Sequence, residues 1–369
     1  MTRIKKQLQE LIEREGPISL ARFMARALYD PISGYYASGK ARIGKAGDFY
    51  TNVSLGPLFG KMLARQFAEM WVLLGAPAEW TLVEQGAFNG QLAGDVLDAL
   101  REQSPDCYQA TTLILVEPFA FFESAQRALL GKHSSKTRWA PNLASCPPFM
   151  GVHYSNELLD AFPAHQVKWI QGRWVELRIG FSGDNFCWIE TEITDPAVAR
   201  AVQRLSVSVE GALREVCPLH ESWITEVSVK LTNGWVLVCD YGLSEEELAL
   251  PHRAAGTLTA YRNHRRSRCA LEEPGCQDIT YQLNFSDIVR LGREKGLQLV
   301  ASTQQSRFLT GVAPLHFKDS QSPLSTKQQK EVLAFRSLTH PELLGSRFKT
   351  LIFSKDRPVT EALAGGRYA

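Results

Sequence analysis

The sequence predicts an α/β fold built on a mainly parallel, doubly wound sheet. Three observations carry that reading. Short apolar runs of strand length recur between stretches with helical spacing, the alternation that parallel sheets require. The first run, Thr81 to Glu84, opens into a glycine-rich turn, Gln85 to Gly90, and then a helical stretch, Gln91 to Gln103. Later runs end on Glu117-Pro118, Ser155-Asn156-Glu157 and Asp240-Tyr241-Gly242, polar residues placed where strand ends of such sheets share a crevice.

Taken in order, Ile4, Leu8, Leu11 and Ile12 recur at helical spacing, which predicts an amphipathic helix packed on the body. Helical spacing continues over residues 18–30 and stops at Asp30-Pro31. Residues 39–51 read as loop, punctuated by Gly44, Gly47 and Asp48. A long helix runs from about Pro57 to Leu74, its proline suited to a first turn. Beyond the glycine turn, Thr111 to Val116 is a second strand, followed by a helix from about Phe119 to Leu130. His153-Tyr154-Ser155 closes a third strand, and Trp235 to Cys239 forms a fourth.

Between those two strands the pattern changes. His165 to Phe181 and Phe186 to Ile193 alternate apolar and polar residues around Ser182-Gly183-Asp184, a β-hairpin signature, and a helix is expected over about Pro196 to Val216. After Gly256 come a mixed loop, a helix near Phe285 to Lys295, a strand near Leu297 to Ser302, a helix near Thr326 to Ser337 and a strand over Phe348 to Ser354. The expected organisation is an N-terminal helical extension (1–75), a first part of the sheet domain (76–163), an inserted hairpin-and-helix subdomain (164–225), and a second part of the sheet domain with C-terminal elements (226–369).

The 369 residues can bury a sizeable core, and 44% hydrophobic with 22% charged residues is ordinary for a soluble globular protein. With 41 basic against 39 acidic side chains, the net charge of +2 creates no overall field favouring nucleic acid. Arg262, His264, Arg265, Arg266 and Arg268 form one basic cluster, read as a solvated loop. Cys107, Cys146, Cys187, Cys217, Cys239, Cys269 and Cys276 include no C-x-x-C pair, the pattern of reduced thiols. Cys269 and Cys276 lie near His252 and His264 but lack zinc-module spacing, so no metal is expected. There is no signal-peptide run and no membrane-spanning stretch, and Glu10, Glu13 and Glu15 argue against a mitochondrial transit peptide. A cytoplasmic protein without nucleic-acid partner or membrane span is expected, with room for a homodimer.

The chemistry centres on Glu84-Gln85-Gly86-Ala87-Phe88-Asn89-Gly90-Gln91-Leu92. Gly86 and Gly90 let backbone approach a ligand, and the helix N-terminus offers amides. The spacing is not G-x-G-x-x-G, and no P-loop lysine follows. A structural turn explains this segment as well as a cofactor does. Glu117, closing the second strand, can accept hydrogen bonds from both hydroxyls of a ribose, a role shared by nicotinamide and S-adenosylmethionine (SAM) enzymes. At the third strand end, Asn156, Glu157 and Asp160 can orient a cationic or amine nucleophile or take its proton; equally, Asn156 can cap a short helix and Asp160 be solvated.

With these segments assembled, the chain resembles the MidA family of SAM-dependent methyltransferases. Gly16-Pro17-Ile18-Ser19, Tyr29-Asp30-Pro31, Gly34-Tyr35-Tyr36, Gly47-Asp48-Phe49-Tyr50-Thr51, Gly56-Pro57-Leu58-Phe59-Gly60 and the glycine loop carry the resemblance in the first part of the chain. Glu117-Pro118, Asn156 through Pro163, Asp240-Tyr241-Gly242, Gly256 through Tyr261 and Asp278-Ile279-Thr280 carry it onward. The resemblance implies a Rossmann-like, seven-stranded class I methyltransferase sheet. It implies SAM contacts from Glu84, Gly86, Ala87, Gly90, Gln91 and Leu92, from Glu117 with Pro118, and from Gly47, Asp48 and Thr51. It points to Asn156, Glu157 and Asp160 as the acceptor-side cluster. Because the family includes a mitochondrial complex I assembly factor to which arginine dimethylation is ascribed, it implies a protein arginine as acceptor. Phe88 stands where methyltransferases carry the middle glycine of E-x-G-x-G-x-G, so its side chain is expected to crowd the methionine end of SAM or push the loop outward.

A carboxylate pair suits a guanidinium acceptor, and Glu157 and Asp160, three apart, would share one side of a helical turn. Two other readings remain at this point: a SAM-binding scaffold with little or no turnover, and a nicotinamide-dependent oxidoreductase on the same sheet.

Overall fold

The computed structural model describes residues 2–37, 39, 51–206, 209–262, 265–318, 323–356 and 363–369. Two compact units divide the chain: Thr51–Leu158, Trp223–Tyr241 and Val289–Ala369 form the sheet unit, and Met1–Tyr50, Leu159–Ser222 and Gly242–Ile288 form the second. These boundaries differ from the four expected segments. Residues 51–75 fold with the sheet, whereas the N-terminal helices and residues 242–288 fold with the expected insertion.

In the sheet unit, β1 is Trp80–Gln85, β2 Thr111–Val116, β3 Thr137–Ala140, β4 Phe149–Asn156, β5 Leu231–Leu243, β6 Gln298–Gln304 and β7 Phe348–Lys355. Their spatial order is β6-β7-β5-β4-β1-β2-β3. Neighbours from β5 through β3 pair in parallel, and β7 runs antiparallel to both β5 and β6. Among the described residues a further two-residue strand, Leu283–Asn284, pairs in parallel beside Gly242 and Leu243, both stretches belonging to the second unit. A two-residue strand has too little pattern to be read in advance. The β3 strand was also unexpected: at the sheet edge, Arg138 is exposed between buried Thr137 and half-buried Trp139.

Strands of a sheet covered on both faces read as near-continuous apolar runs, as Leu113-Ile114-Leu115-Val116 and Val236-Leu237-Val238 do. On one face Leu82, Leu113, Tyr154, Leu237 and Ile352 meet Phe59, Met62, Phe67, Val96 and Leu100 from helices Leu58–Leu73 and Gln91–Gln103 in a single buried cluster. Helix Gln305–Phe317 adds Phe308, Leu309 and Val312 to it. That helix contains Pro314, which ordinarily argues against a helix interior, yet its buried residues pack before the proline is reached.

The second unit opens with helices Arg3–Glu15 and Leu20–Tyr29, N-capped by the Thr2 and Ser19 hydroxyls. Its antiparallel sheet runs Ile18–Ser19, Arg173–Ser182, His165–Ile170, Leu213–Val216, with Asn185–Thr191 also on Arg173–Ser182. The hairpin closes where Ser182 faces Asn185, as expected, but a turn at Gln171-Gly172 splits its first arm into two strands. The helix expected over Pro196 to Val216 stops at Val202. Leu213–Val216 pairs instead with His165–Ile170, in a stretch whose Val and Ser residues and Gly211 favour helix poorly. The expected mixed loop forms a three-stranded sheet of Arg265–Ser267, Thr259–Arg262 and Asp278–Thr280. The basic cluster therefore lies largely on a hairpin, with Arg262 paired to Glu273, while His264 is outside the described residues. Among the described residues, no helix is long and apolar enough to cross a membrane.

Candidate functional site

Register brings the sequence-predicted residues of the sheet unit to one edge. Gln85 stands beside Val116 on one side and Ser155 on the other, and Ser155 stands beside Val238. One residue further along each strand are Gly86, Glu117, Asn156 and Cys239, so the loops they open leave a common edge, the carboxyl ends of parallel strands.

The glycine loop keeps a left-handed backbone at three positions: Gly86 (φ +79°), Phe88 (φ +48°) and Gly90 (φ +84°). A Cβ on Gly86 would lie 2.9 Å from Leu158 Cδ1, and one on Gly90 would lie 3.1 Å from Gln126 Cγ. Phe88 holds the conformation a glycine adopts freely, at a cost of about 1–2 kcal/mol. Its ring packs on Phe122 of helix Ala120–Leu129, with centroids 4.8 Å apart and planes at 49°, and Phe119 and Phe121 flank the same ring. The aromatic cluster takes up the side chain while the loop backbone stays glycine-like. Gly90 begins helix Gln91–Gln103, Asn89 Oδ1 accepts from Gln91 N at 3.1 Å, and Ala87 and Leu92 are buried beneath.

Glu117 is only 7% exposed. Its Oε1 accepts from Phe119 N at 3.0 Å and its Oε2 from Gln126 Nε2 at 3.0 Å. Burial pushes this carboxyl up to about 7 against the pull of those two donors. Pro118 follows, exposed. Glu84 is buried in β1 with Oε2 accepting from the Tyr154 hydroxyl, and burial raises it to about 7 as well. Two residues that sequence reasoning missed emerge here. Gln126 bonds to both the glycine loop and Glu117, and Tyr154 holds Glu84. Neither carries a sequence signal: Tyr154 meets Glu84 across 70 residues of chain, and Gln126 joins Glu117, nine residues away, to Phe88, 38 away.

Asn156 and Glu157 form a relay with a third missed residue, Asn52. Asn52 Nδ2 donates to Asn156 Oδ1 at 3.0 Å, and Asn156 Nδ2 donates to Glu157 Oε1 at 2.9 Å. Asn52 is fully buried, and its own Oδ1 has no partner among the described residues. Thr51, also buried, pairs with Ser54 to cap the turn Asn52–Leu55; Gly47 and Asp48 lie outside the described residues. Glu157 does not sit on a helical turn. Its φ is +53°, its amide donates to Cys239 O at 2.9 Å, and a 3-10 turn begins only at Leu159. The helical-turn argument joining Glu157 to Asp160 therefore fails. Asp240, at the next strand end, accepts from the amides of Leu158 (3.2 Å) and Tyr241 (2.8 Å).

Asp160 belongs to the second unit. It is buried, with Oδ2 accepting from Thr280 Oγ1 at 2.8 Å. Nearby, the Tyr36 hydroxyl donates to Asp278 Oδ1 at 2.8 Å, Tyr29 donates to Ala161 O at 2.7 Å, and the two tyrosine rings stack at 5.6 Å. Burial and the carboxylates of Asp278 and Asp160 hold both phenols well above their ordinary range.

Comparison with known proteins agrees with this geometry. Residues 62–303 match a family described as S-adenosyl-L-methionine-dependent methyltransferases. Relatives named protein arginine methyltransferase NDUFAF7 include the human protein, 25% identical over 100% of this chain and 86% of that protein. The Drosophila melanogaster homolog is 25% identical over 94% of this chain and 84% of that protein. The crystal structure of a COG1565 superfamily member from Burkholderia thailandensis, bound to S-adenosylhomocysteine, superposes with a TM-score of 0.86 at 27% identity, covering 98% of this chain and 94% of that one. The chain belongs to the MidA-type family of S-adenosyl-L-methionine-dependent methyltransferases, and SAM is its cofactor.

Proposed function

We propose that this methyltransferase modifies an arginine side chain of a protein. The observation that carries the proposal is the Glu157 carboxylate, fixed by the Asn156 amide on the strand edge that also bears Glu117 and the glycine turn. The names of its relatives support the choice of arginine. The nicotinamide alternative falls with family membership.

The residues fit SAM. The left-handed turns at Gly86 and Gly90, and the amides that open helix Gln91–Gln103, suit the methionine portion, with Ala87, Gln91 and Leu92 beside it. In this reading Glu117 accepts the ribose hydroxyls, with Pro118 beside them, and Glu84 is a further cofactor-site residue, held by the Tyr154 hydroxyl. Thr51 is proposed as a further cofactor contact; Gly47 and Asp48, which the family resemblance implies, lie outside the described residues. SAM supplies a methyl group already activated on a sulfonium, and its transfer to nitrogen leaves an uncharged thioether. What the protein adds is position and a proton acceptor. Asn156 and Glu157 orient the guanidinium, and the Glu157 carboxylate takes the proton that the methylated nitrogen releases. Asp160 is proposed separately as an acceptor-side residue.

Radiolabelled SAM incubated with fractionated lysate and the purified enzyme, followed by digestion and mass spectrometry, tests the reading. Methylarginine in a protein is expected; label on a small molecule, or on lysine, would replace the acceptor. Glu157→Gln and Asp160→Asn, assayed singly on that substrate, should each slow transfer, and full rate in either variant removes that residue from the scheme.

A further inference from the structure

We propose that Gln126 is a positioning residue for cofactor binding, one amide that locks the glycine loop to the ribose-binding acid. The inference rests on the proposed role of Glu117. Gln126 is fully buried on helix Ala120–Leu129. Its Nε2 donates to Phe88 O at 2.7 Å and to Glu117 Oε2 at 3.0 Å, and its Oε1 accepts from Trp139 Nε1 at 2.9 Å.

Chemistry fixes which way the amide faces. An indole nitrogen can only donate, so the atom it meets must be the carbonyl oxygen. Phe88 O and the ionised Glu117 carboxylate can only accept, so both must face the NH2 group. A flipped amide would break all three bonds. The Arg127 guanidinium lies 3.9 Å over the Trp139 ring and holds the indole in turn. Gly90 is the residue that lets the side chain through, since a Cβ there would come within 3.1 Å of Gln126 Cγ.

The two donated bonds act on the two halves of the cofactor site. One tethers the loop at Phe88, where the left-handed backbone of a non-glycine residue would otherwise relax. The other holds one Glu117 oxygen while Phe119 N holds the second, leaving the carboxylate oriented with lone pairs to spare for ribose hydroxyls. Removing the donor would free the loop and the acid together, so binding should suffer while the rate at saturating cofactor does not.

The test is calorimetry with S-adenosylhomocysteine between pH 6 and 8.5, with thermal melts to verify folding. Gln126→Glu is isosteric and can still accept from Trp139, but its ionised form cannot donate. It should bind at least about tenfold more weakly than wild type at pH 8, as expected for a donor lost from a charged partner. That deficit should shrink towards pH 6, as the new carboxyl regains a proton to share with Glu117; a packing role would show no such pH dependence. Gln126→Leu should show the deficit at every pH, with a raised KM for SAM and a kcat within about threefold. If Gln126→Glu binds within twofold of wild type at pH 8 while Glu117→Gln binds at least tenfold more weakly, the inference falls and the Glu117 reading stands. If Glu117→Gln itself binds like wild type, the Glu117 reading falls first and takes the inference with it.

Discussion

The Tyr154 hydroxyl donates to Glu84 Oε2 at 2.8 Å between adjacent parallel strands, where the two residues stand side by side in register. Burial places the Glu84 carboxyl at about 7; the tyrosine bond pulls it down and nearby Asp95 pushes it up. Between the ordinary carboxylate range and 7, the folded chain therefore holds a proton that the unfolded chain has released. The contribution of Glu84 to stability is fullest below about 4.5 and is lost as the pH rises through 7. Asp95, pushed up to about 6 by burial, acts in the same direction. Glu84→Gln keeps an acceptor for Tyr154 but cannot ionise, so its melting temperature should fall less between pH 5 and 8 than that of wild type. Parallel melting curves across that range would contradict this.

Glu117 makes cofactor binding pH-dependent in the opposite sense. Its carboxyl titrates at about 7, and only the ionised form can accept two ribose hydroxyls. Affinity for S-adenosylhomocysteine should level off above pH 7.5 and fall below 7, approaching tenfold per pH unit. Glu117→Gln should be weak and nearly flat with pH. Calorimetry at three pH values checks both.

Phe88→Gly separates two readings of the loop. Removing the ring sacrifices its packing on Phe122, worth about 1–2 kcal/mol for a half-buried aromatic, and relieves a left-handed backbone of similar cost. Stability should therefore drop by no more than about 2 kcal/mol, because glycine also gains freedom in the unfolded chain. With the ring stowed against Phe122, affinity for S-adenosylhomocysteine should change less than threefold. A tenfold gain would mean that the ring intrudes on the cofactor after all.

Asn52→Ala should cost the fold about 1–3 kcal/mol at most, since Asn156 Oδ1 loses its donor while the buried Asn52 Oδ1 that lacks a partner disappears. Turnover is another matter. Without Asn52, the Asn156 amide is free to rotate and Glu157 loses its fixed donor. A drop of about tenfold in kcat with an unchanged dissociation constant for S-adenosylhomocysteine is expected, measured on the identified acceptor.

The parts of this molecule that were legible in its sequence are those whose cause is local. β1, β2, β4 and β5 announce themselves as apolar runs ended by polar residues, and the glycine turn follows directly from one of them. Leu213–Val216 was illegible because its strand state comes from pairing with His165–Ile170, far earlier in the chain. Gln126 was illegible for a similar reason. On its own helix it is one more polar residue, and only the approach of Phe88, Glu117 and Trp139 turns it into a junction. The error at Glu157 and Asp160 came from extending a helical turn by two residues into a segment whose left-handed Glu157 ends the strand differently.

The order of the strands also bears on how the protein is made. β7, the last strand of the sheet to leave the ribosome, belongs in its interior, between β5 and β6, with Gly234 through Tyr241 on one side and Gln298 through Gln304 on the other. Until Phe348 through Lys355 have been translated, β5 presents a bare edge and β6 has no neighbour to hold it. Nascent chains stalled before this strand should therefore be hungry for strand partners and for chaperones, and the sheet should close only once β7 has emerged.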